Sequence, residues 1–140
     1  KSTGVEVEFE LAPTDNFDFA ISATKLNSEL GSTLTSTDSA GNVSVVAGIE
    51  KGNRLPTVPE FQMAAAATYR WQMGGMAPYV TGVFQHIGDR YTQIGDQAAG
   101  FGTVHIDSFG GDIGGPYTQN TFTFDPKMGA YDILNVRFAT

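Results

Sequence analysis

The 140-residue chain contains no cysteine. It therefore has no disulfide framework, no thiol nucleophile and no thiolate metal site. Charge is sparse: eight lysines and arginines against fifteen aspartates and glutamates, a net charge of −7. The basic residues are scattered singly, so nothing here neutralises a row of phosphates, which argues against nucleic acid as a partner. No apolar run approaches the ~18 residues of a membrane helix, so any membrane role must run through strands. The two histidines, His86 and His105, lie far apart without a carboxylate at ligand spacing, and no metal site is expected. Ser108-Phe-Gly-Gly111 lacks the flanks of a nucleophile elbow. Gly110-Gly-Asp-Ile-Gly-Gly115 lacks the lysine and following helix of a phosphate loop. Asp96, Asp107, Asp112 and Asp125 lack the alternating spacing of a calcium loop. These absences point away from an enzyme and from any cofactor.

What the chain has is glycine, seventeen residues of it, and strand periodicity. Low charge with many turn formers disfavours both a helical bundle and a charged disordered tail, and suits an all-β protein. The organising stretch is Glu60 to Tyr91, which reads as one long hairpin. Phe61, Met63, Ala65, Ala67 and Tyr69 share one face of the first arm, and Gln62, Ala64, Ala66, Thr68 and Arg70 share the other. A turn with Trp71 and Gly74-Gly75 leads into the second arm, Pro78 to Ile87, where both faces are mixed. Each arm has about the 9–11 residues of a tilted strand crossing a bilayer. Tyr69, Trp71 and Tyr79 cluster at the turn end, where a membrane-girdle of aromatics belongs.

In chain order, Gly4 to Leu11 alternates strictly, with Val5, Val7, Phe9 and Leu11 against Glu6, Glu8 and Glu10. Three carboxylates on one face suit bulk solvent or a water-filled barrel interior. Ala12-Pro-Thr-Asp-Asn16 reads as a tight turn, followed by a strand beginning Phe17, Phe19, Ile21. Residues 31–59 break the pattern, apart from a short local strand expected within Asn42 to Ile49. After the hairpin, a second long loop covers roughly 92–129, and alternation resumes at Ala130. The expected strands are thus roughly 4–11, 17–30, 60–70, 78–91 and 130–139. Connections alternate short, long, short, long. Transmembrane barrels carry this asymmetry, with tight periplasmic turns and long extracellular loops. The expected fold class is therefore all-β, with antiparallel up-and-down strands forming part of a larger transmembrane β-barrel.

Gly4-Val-Glu-Val-Glu-Phe-Glu-Leu-Ala-Pro-Thr-Asp15, followed by Phe17-Asp-Phe-Ala-Ile21, resembles the strand, periplasmic turn and strand of TonB-dependent outer-membrane receptors. Arg54-Leu-Pro-Thr-Val-Pro59 resembles the segment before a descending strand in that family. Tyr131-Asp-Ile-Leu-Asn-Val-Arg137 resembles one of its late strands. The resemblance implies a bacterial outer-membrane location, contact with outer-membrane lipid, and uptake of a nutrient such as a ferric siderophore, cobalamin or a glycan. It also implies coupling to the TonB system through a plug domain, which these residues do not include. Barrels of the family have 22 strands and this chain supplies about five, so it is expected to be an internal part of the C-terminal half. No signal peptide is visible before the first strand, so either processing removed it or the chain begins in mid-protein. In isolation such a piece must pair its open edges differently, oligomerise, or fold as something soluble.

Ligand capture then falls to the loops. Tyr91, Phe101, Phe109, Tyr117, Phe122 and Phe124 can stack on a flat ligand, or pack the loops onto each other. Arg54 and Arg90 near the outer rim can meet an anionic chelate. The competing reading is a soluble β-sandwich or small barrel that binds carbohydrate through aromatic loops. A third is a hairpin-rich structural or adhesive module.

Overall fold

The structure, a computed structural model, describes residues 1–105 and 121–140. Its strands are β1 (Ser2–Thr14), β2 (Phe17–Ser28), β3 (Thr35–Thr37), β4 (Val43–Val45), β5 (Phe61–Arg70), β6 (Tyr79–Ile87), β7 (Arg90–Tyr91), β8 (Thr103–His105), β9 (Thr121–Thr123), β10 (Lys127–Met128) and β11 (Tyr131–Ala139). One short 3-10 helix, Ile94–Gln97, interrupts them. The protein is all-β, and every register-defined strand pair is antiparallel. The chain divides into two compact units: Lys1–Ser28 with Val58–Arg90 and Gly129–Thr140, and Glu29–Thr57 with Tyr91–Met128.

The first unit is a single five-stranded sheet in the order β1-β2-β5-β6-β11. The five long strands correspond to the five periodic segments of the sequence. Register then decides which residues share a face, because directly paired residues in an antiparallel ladder point the same way. One row across the sheet reads Phe9, Ile21, Ala65, Phe84, Leu134, and the next reads Leu11, Phe19, Ala67, Gly82, Val136. Between them lies a row on the opposite face: Glu10, Ala20, Ala66, Val83, Asn135. The alternation of β1 is thus carried through all five strands. In β6, Val80, Gly82, Phe84 and His86 join the apolar face, while Tyr79, Thr81, Val83, Gln85 and Ile87 join the other. The single-strand pattern was mixed there; the neighbours resolve it.

Several boundaries differ from expectation: β2 ends at Ser28, short of residue 30, and the arm expected over 78–91 divides into β6 and β7. β1 runs on through Thr14, so the turn is confined to Asp15-Asn16. Pro13 lies inside the strand, where the register slips between Leu11 and Thr14. Proline cannot donate to the ladder, and an edge strand with an irregularity is where it is tolerated. In β11, Asp132 sits on the apolar face with Leu134, Val136 and Phe138, out of phase with Asn135 and Arg137.

Among the described residues the one fully buried large side chain is Pro78, and no other large apolar side chain is buried. Val5, Leu134 and Val136 are 68%, 70% and 68% exposed, respectively. Within this unit the apolar residues of the sheet are exposed on β1 and β11 and mostly half-buried on β2, β5 and β6.

The second unit is built from the two long connections. β3 and β4 form a small hairpin, so the short strand expected within 42–49 has a partner at Thr35–Thr37. Its turn is closed by Asp38, whose carboxylate accepts from the Ala40 and Asn42 backbone N–H groups and from the Asn42 side chain. The Asn42 side-chain amide, followed by its backbone N–H, holds the Asp38 carboxyl below its ordinary range. β8 pairs with β9 in a second small hairpin.

Candidate functional site

The two faces of the sheet offer different chemistry. The face carrying Glu6, Glu8 and Glu10 also carries Ser22, Thr24, Gln62, Thr68, Arg70, Thr81, Gln85, Asn135 and Arg137. Two hollows open on it. The larger, about 430 Å³, has a floor of Ala20, Ala64 and Ala66 beside Glu8 and Glu10. The other is lined by Glu6, Ser22, Thr24, Gln62 and Gln85 among others. The run Ala64 to Ala67 places small side chains on both faces of β5, and so leaves this depression open. The glutamates therefore stand beside a wet concavity, an environment where three carboxylates in one column keep their hydration.

At its turn end this face is braced by charge. Arg70 pairs with Asp18 on the adjacent strand. The Asn16 side chain donates to the Arg70 carbonyl at 2.8 Å, and the Arg70 N–H donates to the Asn16 carbonyl at 2.8 Å. Thr68 and Thr81 hydroxyls meet at 2.9 Å across the hairpin.

On the apolar face the turn end is aromatic. Tyr69 and Trp71 stack with ring centroids 5.8 Å apart, and Trp71 meets Phe138 at 5.9 Å. Tyr79 shares that end but projects from the other face, with the Arg137 guanidinium 5.9 Å from its ring centroid. Tyr69 and Trp71 thus form one aromatic cluster together with Phe138, which strand spacing alone did not single out, and Tyr79 belongs to the polar side. At the loop end the apolar face finishes in polar groups. Lys25 pairs opposite Phe61, and Nδ1 of His86 lies 2.7 Å from Oδ1 of Asp132. His86 therefore has the carboxylate partner that linear spacing did not reveal, supplied across the β6–β11 ladder.

Of the proposed ligand-contacting residues, Arg54 and Tyr91 are brought together, the guanidinium 5.5 Å from the ring centroid. The Arg54 backbone is held at both polar groups: its N–H donates to Oε1 of Gln97, and Nε2 of Gln97 donates to its carbonyl, each at 2.9 Å. Gly48 packs so closely on the 3-10 segment that a Cβ there would lie 2.7 Å from that of Ala98. Asp96 orders the start of that segment by accepting from Thr92 Oγ1, the Gln93 N–H and the Thr92 N–H at 2.7, 2.8 and 3.0 Å. The Thr92 hydroxyl foremost, then these amides, keep the Asp96 carboxyl below its ordinary range, against the opposing push of burial. Phe101 packs edge-on to Phe124 at 6.1 Å, with both rings about half exposed. Arg90, in the sheet unit, lies over the Tyr131 ring at 5.5 Å. Phe109 and Tyr117 lie outside the described residues. Among the described candidates the contacts are therefore the Arg54–Tyr91 and Phe101–Phe124 pairs of the loop unit and, within the sheet unit, the Arg90–Tyr131 pair.

Among the described residues no group of three or more metal-ligating side chains occurs, and no helix is long and apolar enough to cross a membrane. Searches against protein-family models, curated proteins and solved structures return no match.

Proposed function

We propose that the five-stranded sheet is an arc of the wall of an outer-membrane β-barrel, of the TonB-dependent receptor class, that takes up a small nutrient. The apolar face meets lipid, the glutamate face meets the water-filled interior, and the two long connections are the extracellular loops. The observation that carries this reading is the apolar pattern continued across five strands, exposed on the outer strands β1 and β11, part-exposed on the strands between, and edged by Tyr69, Trp71 and Phe138 at one end. In water that face would be a liability; in lipid it is what the solvent requires. A ten-residue strand such as β5 is ~33 Å long and, tilted by ~45°, spans ~23 Å, close to the apolar band of such barrels. A soluble carbohydrate-binding sandwich needs a second layer over this face, and among the described residues none of its large apolar side chains is buried. The nutrient class (ferric siderophore, cobalamin or glycan) rests on the sequence resemblance.

Trp71 is the chain's one tryptophan and reports directly on the idea. Reconstituted into vesicles of lipids with brominated acyl chains, the protein should show quenched Trp71 emission. A chain that stays in the aqueous phase as a cooperatively folded monomer, with Trp71 unquenched, overturns the reading.

A further inference from the structure

The chain has four methionines and no cysteine, so thioethers are its soft donors. Two of them face each other across the turn between β5 and β6. Met73 and Met76 form an antiparallel bridge, and each backbone N–H donates to the other's carbonyl at 3.0 Å. A pair that exchanges both bonds holds its Cα atoms ~5.5 Å apart and points its side chains the same way. Gly74 and Gly75 complete the turn with φ of 57° and 86°, the left-handed backbone that a two-residue type I′ turn requires at both positions. The Trp71 N–H donates to the Pro78 carbonyl at 3.0 Å, which continues the ladder from the sheet into the turn. The tip is thus a hydrogen-bonded extension of the hairpin.

The Met73 and Met76 side chains are 57% and 48% exposed, and Gly74 and Gly75 have no side chain with which to cover them. An apolar body alone would be served by leucine. What methionine adds is a polarizable sulfur on three rotatable bonds. Hard ions take oxygen donors and zinc takes imidazole or thiolate, whereas thioether sulfur suits soft ions, Cu(I) above all. Ions of that kind accept as few as two donors.

We infer that the thioether sulfurs of Met73 and Met76 chelate one soft monovalent metal ion, Cu(I), for which Ag(I) is the redox-inert probe. The bridge sets both donors on one side of a two-residue turn, and their rotatable stems bring both sulfurs to a common ion while the backbone bonds stay in place. The ion enters and leaves as Cu(I), so no electron is transferred. The site lies at the end of the sheet that carries Tyr69, Trp71 and Phe138, and it needs neither lipid nor the long connections.

The test is a silver nitrate titration in chloride-free buffer, in the medium in which the protein folds, detergent micelles or water, with the methionine methyl groups labelled with carbon-13. The Met73 and Met76 signals should shift together and saturate at one Ag(I) per chain, while those of Met63 and Met128 stay in place. Met73→Leu and Met76→Leu keep the apolar bulk and the glycine turn, and each should weaken Ag(I) binding roughly 100-fold, the worth of a tethered second donor. Met128→Leu, at a residue of comparable exposure (43%) in the loop unit, should leave the titration unchanged. Cu(I) supplied from a competing chelator should move the same two signals, and Zn(II) should move neither. Silver taken up at His86 or His105 with the Met73 and Met76 signals unmoved overturns the inference. So does a shift of only one of the two signals, leucine variants that bind as the parent does, or an equal response to Zn(II). Replacing all four methionines by norleucine, which exchanges sulfur for a methylene and keeps the shape, gives a second measurement in case a leucine variant misfolds. Silver binding of parental strength in that protein overturns the inference as well.

Discussion

His86 and Asp132 are 46 residues apart in the chain and 2.7 Å apart across the β6–β11 ladder. Both stand on the apolar face, at its loop end, beside Phe61, whose ring lies 5.6 Å from the imidazole. Solvent reaches both side chains, which are 29% and 61% exposed, and exposed pairs contribute little. Asp132→Asn should therefore lower unfolding free energy by under about 1 kcal/mol, the range of surface pairs. A urea titration of both proteins checks this; a loss above about 2 kcal/mol would mark the pair as desolvated.

The same pair shows where sequence reading stops. The five long strands were legible because their apolar residues recur at period two, strictly so in Val5, Val7, Phe9, Leu11. The face of β6 was not legible, since Val80 and Phe84 on one side are matched by Val83 and Ile87 on the other. Only pairing with Met63, Ala65 and Ala67 of β5 places His86, Phe84 and Gly82 on the apolar side. Tyr79 was grouped with Tyr69 and Trp71 by proximity along the chain, yet parity puts it on the opposite face. In the long connections, the Arg54–Gln97 clamp spans 43 residues. No local pattern announces such a contact.

Thr57 has φ of 63°, a left-handed backbone that is uncommon for any non-glycine residue and an outlier for a β-branched one. It follows Pro56 within a turn, the order of a type II turn, which favours glycine or asparagine at that position. Its N–H donates to the Tyr91 carbonyl at 2.7 Å, holding the turn on the second long connection. Thr57→Asn should relieve about 1 kcal/mol of backbone strain without adding the chain freedom of glycine. Slower proteolytic cleavage within Glu29–Thr57 is the expected result, and faster cleavage would show that the threonine side chain matters more than its backbone.

Asp96 sets a pH dependence for the loop unit. Its carboxyl is held below the ordinary 3.8 in the folded protein, so the unfolded chain binds its proton first as pH falls. The stabilisation is complete above the unfolded value and is lost as pH drops through the folded one. Amide exchange at Thr92 and Gln93 should be protected at pH 6 and open progressively at a pH of about 4 and below. Asp96→Ala should remove that dependence and cost about 1–3 kcal/mol of local stability, the worth of charge-assisted bonds to a buried acceptor. Unchanged exchange in the variant would mean that the Gly48 and Gln97 contacts hold the segment unaided.

Leu134 and Asn135 are neighbours in β11 that face opposite ways, and they separate the lipid reading from the soluble one. Leu134 lies in the middle row of the apolar face with Phe84 and Ala65, whereas Asn135 lies in the glutamate row opposite Val83. At the middle of a bilayer an arginine on the lipid side costs about 2–4 kcal/mol, and on the lumen side it costs little. Leu134→Arg should accordingly lower stability in lipid vesicles by that amount, while Asn135→Arg should stay within about 0.5 kcal/mol. In water the prediction reverses its contrast, because Leu134 is already 70% exposed and a charge there would be neutral or favourable. Urea titrations of the two variants in vesicles therefore decide between the solvents: equal stabilities would place the apolar face in water, and a loss confined to Leu134→Arg would place it in lipid.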